Sequence, residues 1–318
     1  GRLMRVTEHL ERATGPFITF EIIPPSRGGD LASLLGLIED LMQHRPPFID
    51  ITSHAAEVVY EEGLTGYEKR IKRKRPGTLG VCALIQNKFN IDAVPHILCE
   101  GFTREETEDF LIELRYLDID NVLAIRGDSS GYEKRLEHGR SRNHYASELI
   151  SQITDMNKGI YLEELLDAAP TQFCIGAAGY PEKHFEAPNL QADVARLKQK
   201  VDAGAEYVVT QMFFENQHYF EFVEECRRQE ITVPVIPGVK VLASQSQVAS
   251  IPRTFHCEVP PDLADAVMNA PEDRASDIGV EWAIGQTREL LEAGVPSVHF
   301  YVMQSARLIN SVLAELDI

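Results

Sequence analysis

Polar side chains of five chemical kinds lie at or near the carboxyl ends of apolar runs in this chain. They are the carboxylate of Glu21, the imidazole of His96, the charged groups of Arg126-Gly127-Asp128, the phenol of Tyr180 and the amide of Gln211. Carboxylates and imidazoles transfer protons, guanidinium groups bind phosphates, and amides hydrogen-bond to the edge of a heterocycle. If such side chains converge, they form an enzyme site for a small molecule, although they do not identify its reaction.

Eight apolar runs predict the strands that would bring these side chains together. The predicted strands are residues 17–23, 48–53, 94–99, 122–126, 173–178, 207–211, 233–237 and 298–302. Amphipathic patterns between them predict helices at residues 31–42, 104–117, 190–203, 217–228, 245–251 and 278–293. Residues 78–85 suit either a strand or a helix, and we expect a helix because residues 94–99 supply the third strand.

The alternation of apolar strands with amphipathic helices predicts a parallel sheet whose faces are both covered. Eight such units favour a closed (β/α)8 TIM barrel built as a single domain over residues 1–318, and an open doubly wound sheet is the alternative. No GxGxxG motif follows a strand, which argues against a dinucleotide-binding Rossmann unit. In a barrel the carboxyl ends of the strands share one rim, so the polar side chains would meet there.

Composition and charge argue against several other classes of protein. The net charge of −18 disfavours a nucleic-acid ligand, and no apolar run is long enough to span a bilayer or to form a signal peptide. The five cysteines form no CxxC pair, which is typical of packed, reduced thiols in a cytoplasmic protein. The ten histidines form no HxH or HExxH pair, so we expect no catalytic metal. We expect a homo-oligomer without nucleic-acid or membrane partners.

A basic run, Lys-Arg-Ile-Lys-Arg-Lys-Arg at residues 69–75, stands out in this acidic chain. Charge runs are usually solvated, so we expect it to cover an exposed helix surface. An oligomer contact and a docking patch for an acidic ligand tail are the alternatives.

Several short motifs occur in a fixed order along the chain. They are Phe20-Glu21 with Pro24-Pro25, Pro95-His96, Arg126-Gly127-Asp128, Tyr145-Ala146, Ala178-Gly179-Tyr180-Pro181-Glu182, Thr210-Gln211, Ile236-Pro237-Gly238 and His299-Phe300-Tyr301. In this order the motifs resemble the methylenetetrahydrofolate reductase family, flavin-dependent barrels that make methyltetrahydrofolate, over residues 17–308. The resemblance implies non-covalent FAD, reduction of 5,10-methylenetetrahydrofolate by NADH or NADPH, and a place in one-carbon metabolism and methionine biosynthesis. It is a resemblance to the short bacterial form, which implies that no C-terminal regulatory domain follows.

The resemblance also assigns roles to individual residues. Glu21 matches the acid that protonates the folate nitrogen when the five-membered ring opens, and its apolar sequence neighbours predict a raised pKa. Asp128 matches a catalytic residue beside the pyrimidine edge of the flavin, where its charge would tune hydride donation. Positions that match FAD contacts are Thr52, Ala55, His96, Arg126, Gly127, Asp128, Tyr145, Ala146, Ala178, Tyr180, His184, Asp193, Arg196 and Lys200. Positions that match substrate contacts are Gln211, Gln247 and Tyr180.

Structural roles are the alternatives for some of these residues. Asp128 could cap its own loop, and His96 could be a satisfied core histidine. Asp193, Arg196 and Lys200 form one stripe of a predicted helix, which could be a solvated face.

The chain departs from the family pattern at two places. Ile251 stands where some bacterial members carry an aromatic residue that stacks on nicotinamide, and Gln304-Ser305 stands where some carry Asn-Arg. These departures keep open a second hypothesis, a folate- or flavin-binding barrel that serves as a subunit of a larger assembly. A third hypothesis is a proline-dehydrogenase-like flavin barrel that oxidises an amine. Residues 132–143 and 153–171 are longer than the family pattern requires and predict surface elaborations.

Overall fold

A computed structural model describes residues 3–128, 131–303, 305–316 and 318. The strands are β1 (Phe17–Ile22), β2 (Phe48–Ile51), β3 (Glu57–Gly63), β4 (Gly66–Lys72), β5 (Asp92–Leu98), β6 (Asn121–Ile125), β7 (Cys174–Gly179), β8 (Tyr207–Thr210), β9 (Val235–Ile236), β10 (Gly238–Val239) and β11 (Ser297–Met303). The helices are α1 (Val6–Arg12), α2 (Leu31–Met42), α3 (Thr78–Phe89), α4 (Arg104–Tyr116), α5 (Ala146–Asn157), α6 (Leu190–Ala203), α7 (Asn216–Arg228), α8 (Gln247–Phe255), α9 (Pro261–Asn269), α10 (Ala275–Glu292) and α11 (Arg307–Ala314). None of the helices in these described ranges is long and apolar enough to cross a membrane.

The parallel strands close into a barrel. Around it, β11, β1, β2, β5, β6, β7 and β8 lie side by side, while β9 pairs with β8 and β10 pairs with β11. β9 and β10 are two parts of one strand that is split at Pro237, which has no N–H to give to a ladder. The Pro237 carbonyl accepts the His299 N–H at 2.9 Å, so the split strand joins both of its neighbours. This arrangement confirms the predicted single-domain (β/α)8 barrel and excludes the open sheet.

The barrel strands are buried on both faces. Every residue of β2 and β5 is buried, because one face of each strand points into the barrel and the other packs beneath the helices. Phe48, Val94, Leu123 and Tyr207 belong to the smaller apolar cluster that fills the barrel. A larger apolar cluster lies between the strands and the surrounding helices.

The helices begin and end where their capping residues stand. Asp30, Thr103 and Asn189 accept backbone N–H groups at the starts of α2, α4 and α6. Gly204 ends α6, as predicted, with a φ of 132° that favours glycine. The segment that suited either a strand or a helix is helical and forms α3.

Helix α1 covers the amino-terminal end of the barrel. Val6 is fully buried there, and its N–H donates to Asn121 Oδ1 at 2.8 Å. His9 Nε2 lies 2.6 Å from Asp92 Oδ2 at the start of β5. With this end covered, the carboxyl ends of the strands form the open mouth, which is where the predicted site residues lie.

The expected helix in the basic run was wrong. Residues 66–72 form β4, which pairs with β3 in an antiparallel hairpin outside the barrel, and every residue of β4 is exposed. Acidic residues of the hairpin face the basic ones: Arg70 pairs with Glu68 at 2.7 Å, and Lys72 pairs with Glu61. Residues 69–72 are therefore solvated, as expected, and Arg70 and Lys72 pair across the hairpin with Glu61 rather than along a helix. Arg73 and Arg75 lie beyond β4, are half-buried and donate to the carbonyls of His54 and Pro24, so the expected solvated surface was wrong for these two residues.

The expected surface elaboration at residues 153–171 was wrong in part. Residues 153–157 belong to α5, whose Leu149, Ile150, Ile153 and Met156 are buried against the barrel. Residues 158–170 lie outside helices and strands and are mostly exposed, as are residues 131–142. All five cysteines are buried and free, which agrees with the expected packed thiols.

Candidate functional site

Glu21 faces a buried pair of ionisable residues inside the barrel mouth. β1 places Glu21 in register with Asp50 of β2, and His96 lies on β5, the next strand around the barrel. Glu21 Oε2 lies 3.5 Å from His96 Nε2, and Asp50 Oδ2 lies 3.2 Å from the same nitrogen. The side chains of Asp50 and His96 are 1% and 5% exposed, whereas that of Glu21 is 18% exposed. Glu21 is therefore the member of the three that a substrate at the mouth can reach.

A second imidazole approaches Glu21 from β11. His299 Nε2 lies 3.7 Å from Glu21 Oε2, and Thr19 Oγ1 lies 2.8 Å from His299 Nδ1. Tyr301 is in register with Glu21, and its hydroxyl donates to the Thr210 carbonyl. The Tyr301 ring meets the His299 ring edge to face at 5.4 Å. The Glu21 carboxylate thus lies between two imidazoles, below a phenol that is held in place.

The predicted raised pKa of Glu21 was wrong. Burial raises the pKa of this carboxyl, but His96 and His299 lower it by more, so that the pKa lies below its ordinary value. Burial lowers the pKa of His96, but Glu21 and Asp50 raise it by more, so that this pKa lies above its ordinary value. The apolar sequence neighbours Phe20 and Ile22 pack in the outer cluster, because successive strand residues point to opposite faces. At neutral pH Glu21 is therefore a carboxylate, and its charge together with that of Asp50 favours the protonated form of His96.

A cleft of about 500 Å³ lies at the carboxyl ends of β6 and β7, between α5 and α6. Nine of the predicted cofactor-binding residues line it: Arg126, Tyr145, Ala146, Ala178, Tyr180, His184, Asp193, Arg196 and Lys200. The structure thus brings most of that set together, and their binding role stays a prediction.

Lys200 places a cation in the wall of the cleft. Its Nζ donates to the Ala178 carbonyl at 3.2 Å and lies 5.8 Å from the centre of the Tyr180 ring. Burial lowers the pKa of Lys200, and Asp193 opposes that effect. Asp193 is buried and accepts the His184 N–H at 2.9 Å. Of the three residues on this helix stripe, only Arg196 is exposed, so the alternative of a solvated helix face holds for Arg196 alone. A cation beside aromatic rings suits the phosphates and the ring system of a nucleotide.

Arg126 lies at the edge of the same cleft. Its Nη1 donates to Glu186 Oε2 at 2.7 Å, and its Nε lies 3.9 Å from Glu100 Oε1. The guanidinium carbon lies 6.0 Å from the centre of the Tyr145 ring. The hydrogen bond that Arg126 donates to Glu186 raises the pKa of Arg126, which stays charged. Because a guanidinium carries five N–H groups, Arg126 can bind a phosphate while it holds Glu186.

Five of the fourteen predicted cofactor residues lie outside the lining of the cleft, and one of them, His96, lies beside Glu21. Thr52 Oγ1 lies 2.7 Å from His54 Nε2 just after β2, and Ala55 packs closely against Gly101. Gly127 has a φ of 87°, which lets the chain turn directly after β6 and leaves Asp128 exposed. Burial raises the pKa of Tyr180 to about 12, and the charges of Asp193 and Asp128 add to the effect. Asp128 therefore lies close enough to Tyr180 for its charge to act on the cleft.

The two predicted substrate amides each hold a backbone group of their own loop. Gln211 Oε1 accepts the Met212 N–H at 2.9 Å, just after β8. Gln247 Oε1 accepts the Ala243 N–H at 2.7 Å, at the start of α8. In each case the amide oxygen is engaged, and the NH₂ group is the part that would meet a ligand.

The position of the first family departure is now defined. Ile251 is 3% exposed and packs with Met212, Phe214 and Leu242, so it offers no surface on which nicotinamide could stack. At the second departure Ser305 is exposed, and Gln304 lies outside the described residues.

Sequence reasoning missed Asp50, and it named His299 and Tyr301 only as part of a family motif, without a role in the site. Asp50 lies in the apolar strand Phe48–Ile51, where a single charged residue is itself a signal, since buried charges need partners. His299 and Tyr301 alternate along β11, which places both side chains on the inner face of the barrel. Only the register between strands shows that these residues surround Glu21.

Comparison with known proteins gives a consistent result. The family model of methylenetetrahydrofolate reductase matches residues 5–317. The chain is similar to the 5,10-methylenetetrahydrofolate reductase of Escherichia coli (strain K12), with 26% identity over 304 residues, which are 95% of this chain and 90% of that protein. It is also similar to a probable methylenetetrahydrofolate reductase (NADPH) of Caenorhabditis elegans, with 28% identity over 95% of this chain and 42% of that protein. The chain spans about half the length of the Caenorhabditis elegans, Schizosaccharomyces pombe and Arabidopsis thaliana relatives that it matches.

A solved structure supports the fold. An uncharacterized protein from Clostridium thermocellum that binds two copies of 5-methyl-5,6,7,8-tetrahydrofolic acid is similar to this chain with a TM-score of 0.61. The alignment covers 97% of this chain and 96% of that protein at 13% sequence identity. At that identity the similarity concerns the barrel architecture alone.

Proposed function

Because this chain belongs to the methylenetetrahydrofolate reductase family, we propose that it reduces 5,10-methylenetetrahydrofolate to 5-methyltetrahydrofolate with electrons from NADH or NADPH. The observation that carries the proposal is the position of Glu21, a partly exposed carboxylate between two buried imidazoles at the barrel mouth. This acid–base group stands at the end of the barrel that also carries the cleft lined by Arg126 and Lys200.

The cleft residues fit a flavin nucleotide. Lys200 is a buried cation whose Nζ bonds the Ala178 carbonyl, and Arg126 retains unused N–H groups, so both could bind the pyrophosphate of FAD. The ring faces of Tyr145 and Tyr180 lie beside these two cations and could pack on the ring systems. When bound there, FAD would accept a hydride from NADH or NADPH and pass it to the methylene carbon of the folate.

Proton delivery is the part of the reaction that the residues of this chain perform. Opening of the folate five-membered ring leaves a nitrogen that needs a proton, and Glu21 is the acid that can reach it. Because Glu21 is a carboxylate in the free protein, His96 acts as the proton reservoir, 3.5 Å away. Asp50 Oδ2 approaches the same nitrogen of His96 at 3.2 Å, and its negative charge stabilises the imidazolium. A bound folate would exclude water from Glu21 and so favour transfer of the proton from His96 to Glu21.

Both substrates would enter through the one open mouth of the barrel, which determines the order in which they bind. NAD(P)H and the folate would use the same face of the flavin in turn, so the enzyme would follow a ping-pong scheme with parallel initial-rate lines. The amide NH₂ groups of Gln211 and Gln247 would donate to acceptors on the pterin edge. Intersecting initial-rate lines would contradict the shared face.

The test of the proposed function is the Glu21→Gln variant in separate half-reactions. Loss of the acid should slow reoxidation of the reduced flavin by methylenetetrahydrofolate by about 10²- to 10⁴-fold. Reduction of the flavin by NADH should change little, because hydride transfer from nicotinamide needs no proton from Glu21. An equal loss in both half-reactions would refute the general-acid role.

A further inference from the structure

We propose that Glu182, His218 and Glu258 form a binding site for a divalent transition-metal ion of the Zn²⁺ type, separate from the flavin cleft and outside the catalytic steps. The three side chains come from two loops and one helix on one side of the barrel mouth. Glu182 lies in the loop after β7, His218 lies in the first turn of α7, and Glu258 follows α8. Among the described residues, this is the group of histidine, cysteine and carboxylate side chains whose spacing suits a metal ion.

The distances within the group suit such an ion. His218 Nε2 lies 3.7 Å from Glu182 Oε1 and 4.0 Å from Glu258 Oε2, and one ligand atom from each residue lies within 4.8 Å of the others. Tetrahedral zinc binds nitrogen and oxygen at about 2.0–2.2 Å, which places its ligand atoms about 3.4 Å apart. The two distances from His218 Nε2 would need to shorten by about 0.3–0.6 Å to reach that geometry.

Two buried atoms of the group lack a hydrogen-bond partner. His218 Nε2 and Glu182 Oε2 are inaccessible to solvent, and neither has such a partner within the described part of the chain. The other Glu182 oxygen accepts the Glu258 N–H at 2.8 Å, so Glu182 is held in place with Oε2 free. Unpaired buried polar atoms are costly, and at 3.7–4.0 Å an ion pair without hydrogen bonds compensates that cost poorly. A bound cation would satisfy both atoms.

The ligand set also indicates the class of ion. One imidazole with two carboxylates suits Zn²⁺ and neighbouring first-row divalent ions, whereas Ca²⁺ and Mg²⁺ prefer oxygen ligands alone. Glu215 Oε2 lies 3.8 Å from His218 Nε2, and Glu215 could supply a fourth ligand in place of water. The ion would tie the loop that carries Tyr180 and His184 to α7 and to the end of α8. Motif rules did not reveal this site because its ligands come from three segments that are far apart in the sequence.

The test is isothermal titration calorimetry of Zn²⁺ into the full chain after dialysis against a chelator. We expect one ion per chain, and we expect His218→Gln and Glu182→Gln to weaken its binding by at least tenfold. The matched control is His138→Gln, because His138 is an exposed histidine of the 131–143 segment, and its replacement should leave the affinity unchanged. Zn²⁺ should raise the melting temperature of the wild type and of His138→Gln but not that of His218→Gln.

Two further measurements make the result decisive. The metal-free His218→Gln chain should melt as the metal-free wild type does, which shows that lost binding is not lost folding. Co²⁺ as a probe should give visible d–d absorption in the wild type that Glu182→Gln removes. Absence of Zn²⁺ uptake, or equal uptake by His218→Gln, would overturn the proposal and leave an imidazole that lies beside three carboxylates without binding a metal ion. Because no step of this test uses flavin or folate, its outcome is independent of the proposed reductase activity.

Discussion

Replacement of Asp50 by asparagine should slow the folate half-reaction without affecting the nicotinamide half-reaction. The Asp50 carboxylate lies 3.2 Å from His96 Nε2 and is almost fully buried. Asparagine has the same size and can still accept the hydrogen bond from His96, but it carries no charge. The substitution therefore removes the electrostatic stabilisation of the imidazolium and leaves the packing nearly intact.

The size of the effect follows from the distance and the burial. An opposite charge this close shifts the protonation equilibrium of a buried group by about 1.4–4 kcal/mol, a factor of about 10 to 1,000. If His96 supplies the proton that Glu21 gives to the folate nitrogen, the rate of flavin reoxidation by methylenetetrahydrofolate should fall by a factor in that range. Flavin reduction by NADH should stay within about threefold of the wild-type rate, because that step does not draw on the His96 proton.

Anaerobic stopped-flow absorbance measures the two half-reactions separately. Asp92→Asn is the matched control, because Asp92 is also a buried aspartate paired with a histidine, His9, at 2.6 Å, but at the opposite end of the barrel. It should lower stability and leave both half-reactions unchanged. Equal slowing of both half-reactions by Asp50→Asn, or no change in folate reduction, would refute the proton-reservoir role of His96.

Three further predictions concern the cleft, the packing and the ion pair. Lys200→Met should weaken flavin binding by about 10- to 100-fold, because the proposed hydrogen bond from the Lys200 cation to the flavin phosphates would be lost. Quenching of flavin fluorescence measures this binding. Lys198→Met on the same helix is the control and should have no effect, because Lys198 pairs with Asp202. Gly176→Ala should lower the free energy of unfolding by about 1–3 kcal/mol in urea titrations, since a Cβ there would lie 2.7 Å from atoms of Leu123 and Tyr207. Gly285→Ala, in an open position of α10, should raise that free energy by about 0.5–1 kcal/mol, and equal effects of the two substitutions would contradict the packing argument. Because the pKa of His96 is raised on folding, its charge stabilises the folded state fully below about pH 6.5, and this contribution is lost as the pH rises. Because the pKa of Glu21 is lowered on folding, its charge stabilises the folded state fully above about pH 4.5, and this contribution is lost as the pH falls. The difference in unfolding free energy between wild type and His96→Gln should therefore be largest between about pH 4.5 and 6.5, and a difference that does not vary with pH would argue against the pair.

The barrel could be predicted from the sequence because its strands are buried on both faces. Continuous apolar runs separated by amphipathic helices are compatible with few folds other than a parallel sheet covered on both faces. All eight predicted strands occur, with boundaries that differ by a few residues. The β3–β4 hairpin escaped the same reasoning because it lies outside the barrel and its strands carry charged residues rather than an apolar run. Helix α5 was missed because its polar face is rich in serine, threonine and asparagine, which are typical of loops.

The sequence predicted those parts of the site whose residues are marked by a local sequence pattern. The cleft residues follow strand ends and occupy one helix stripe, so local pattern was enough to group them. The surroundings of Glu21 depend instead on the register of β1 with β2 and β11, which brings residues nearly 280 positions apart to one point. Local sequence is apolar around Glu21, but the chain directs those apolar neighbours outward, and the inward environment is ionic. The direction of the Glu21 pKa shift therefore required the three-dimensional structure.

The most direct test of the central claim is anaerobic addition of NADH to the purified, FAD-saturated protein while the yellow flavin absorbance is followed. The reductase account predicts that the absorbance bleaches and that methylenetetrahydrofolate then restores it, with formation of methyltetrahydrofolate. A flavin that binds but is bleached by neither NADH nor NADPH would contradict the account. That result would favour a folate- or flavin-binding subunit of a larger assembly, in which the buried Ile251 offers nicotinamide no stacking surface.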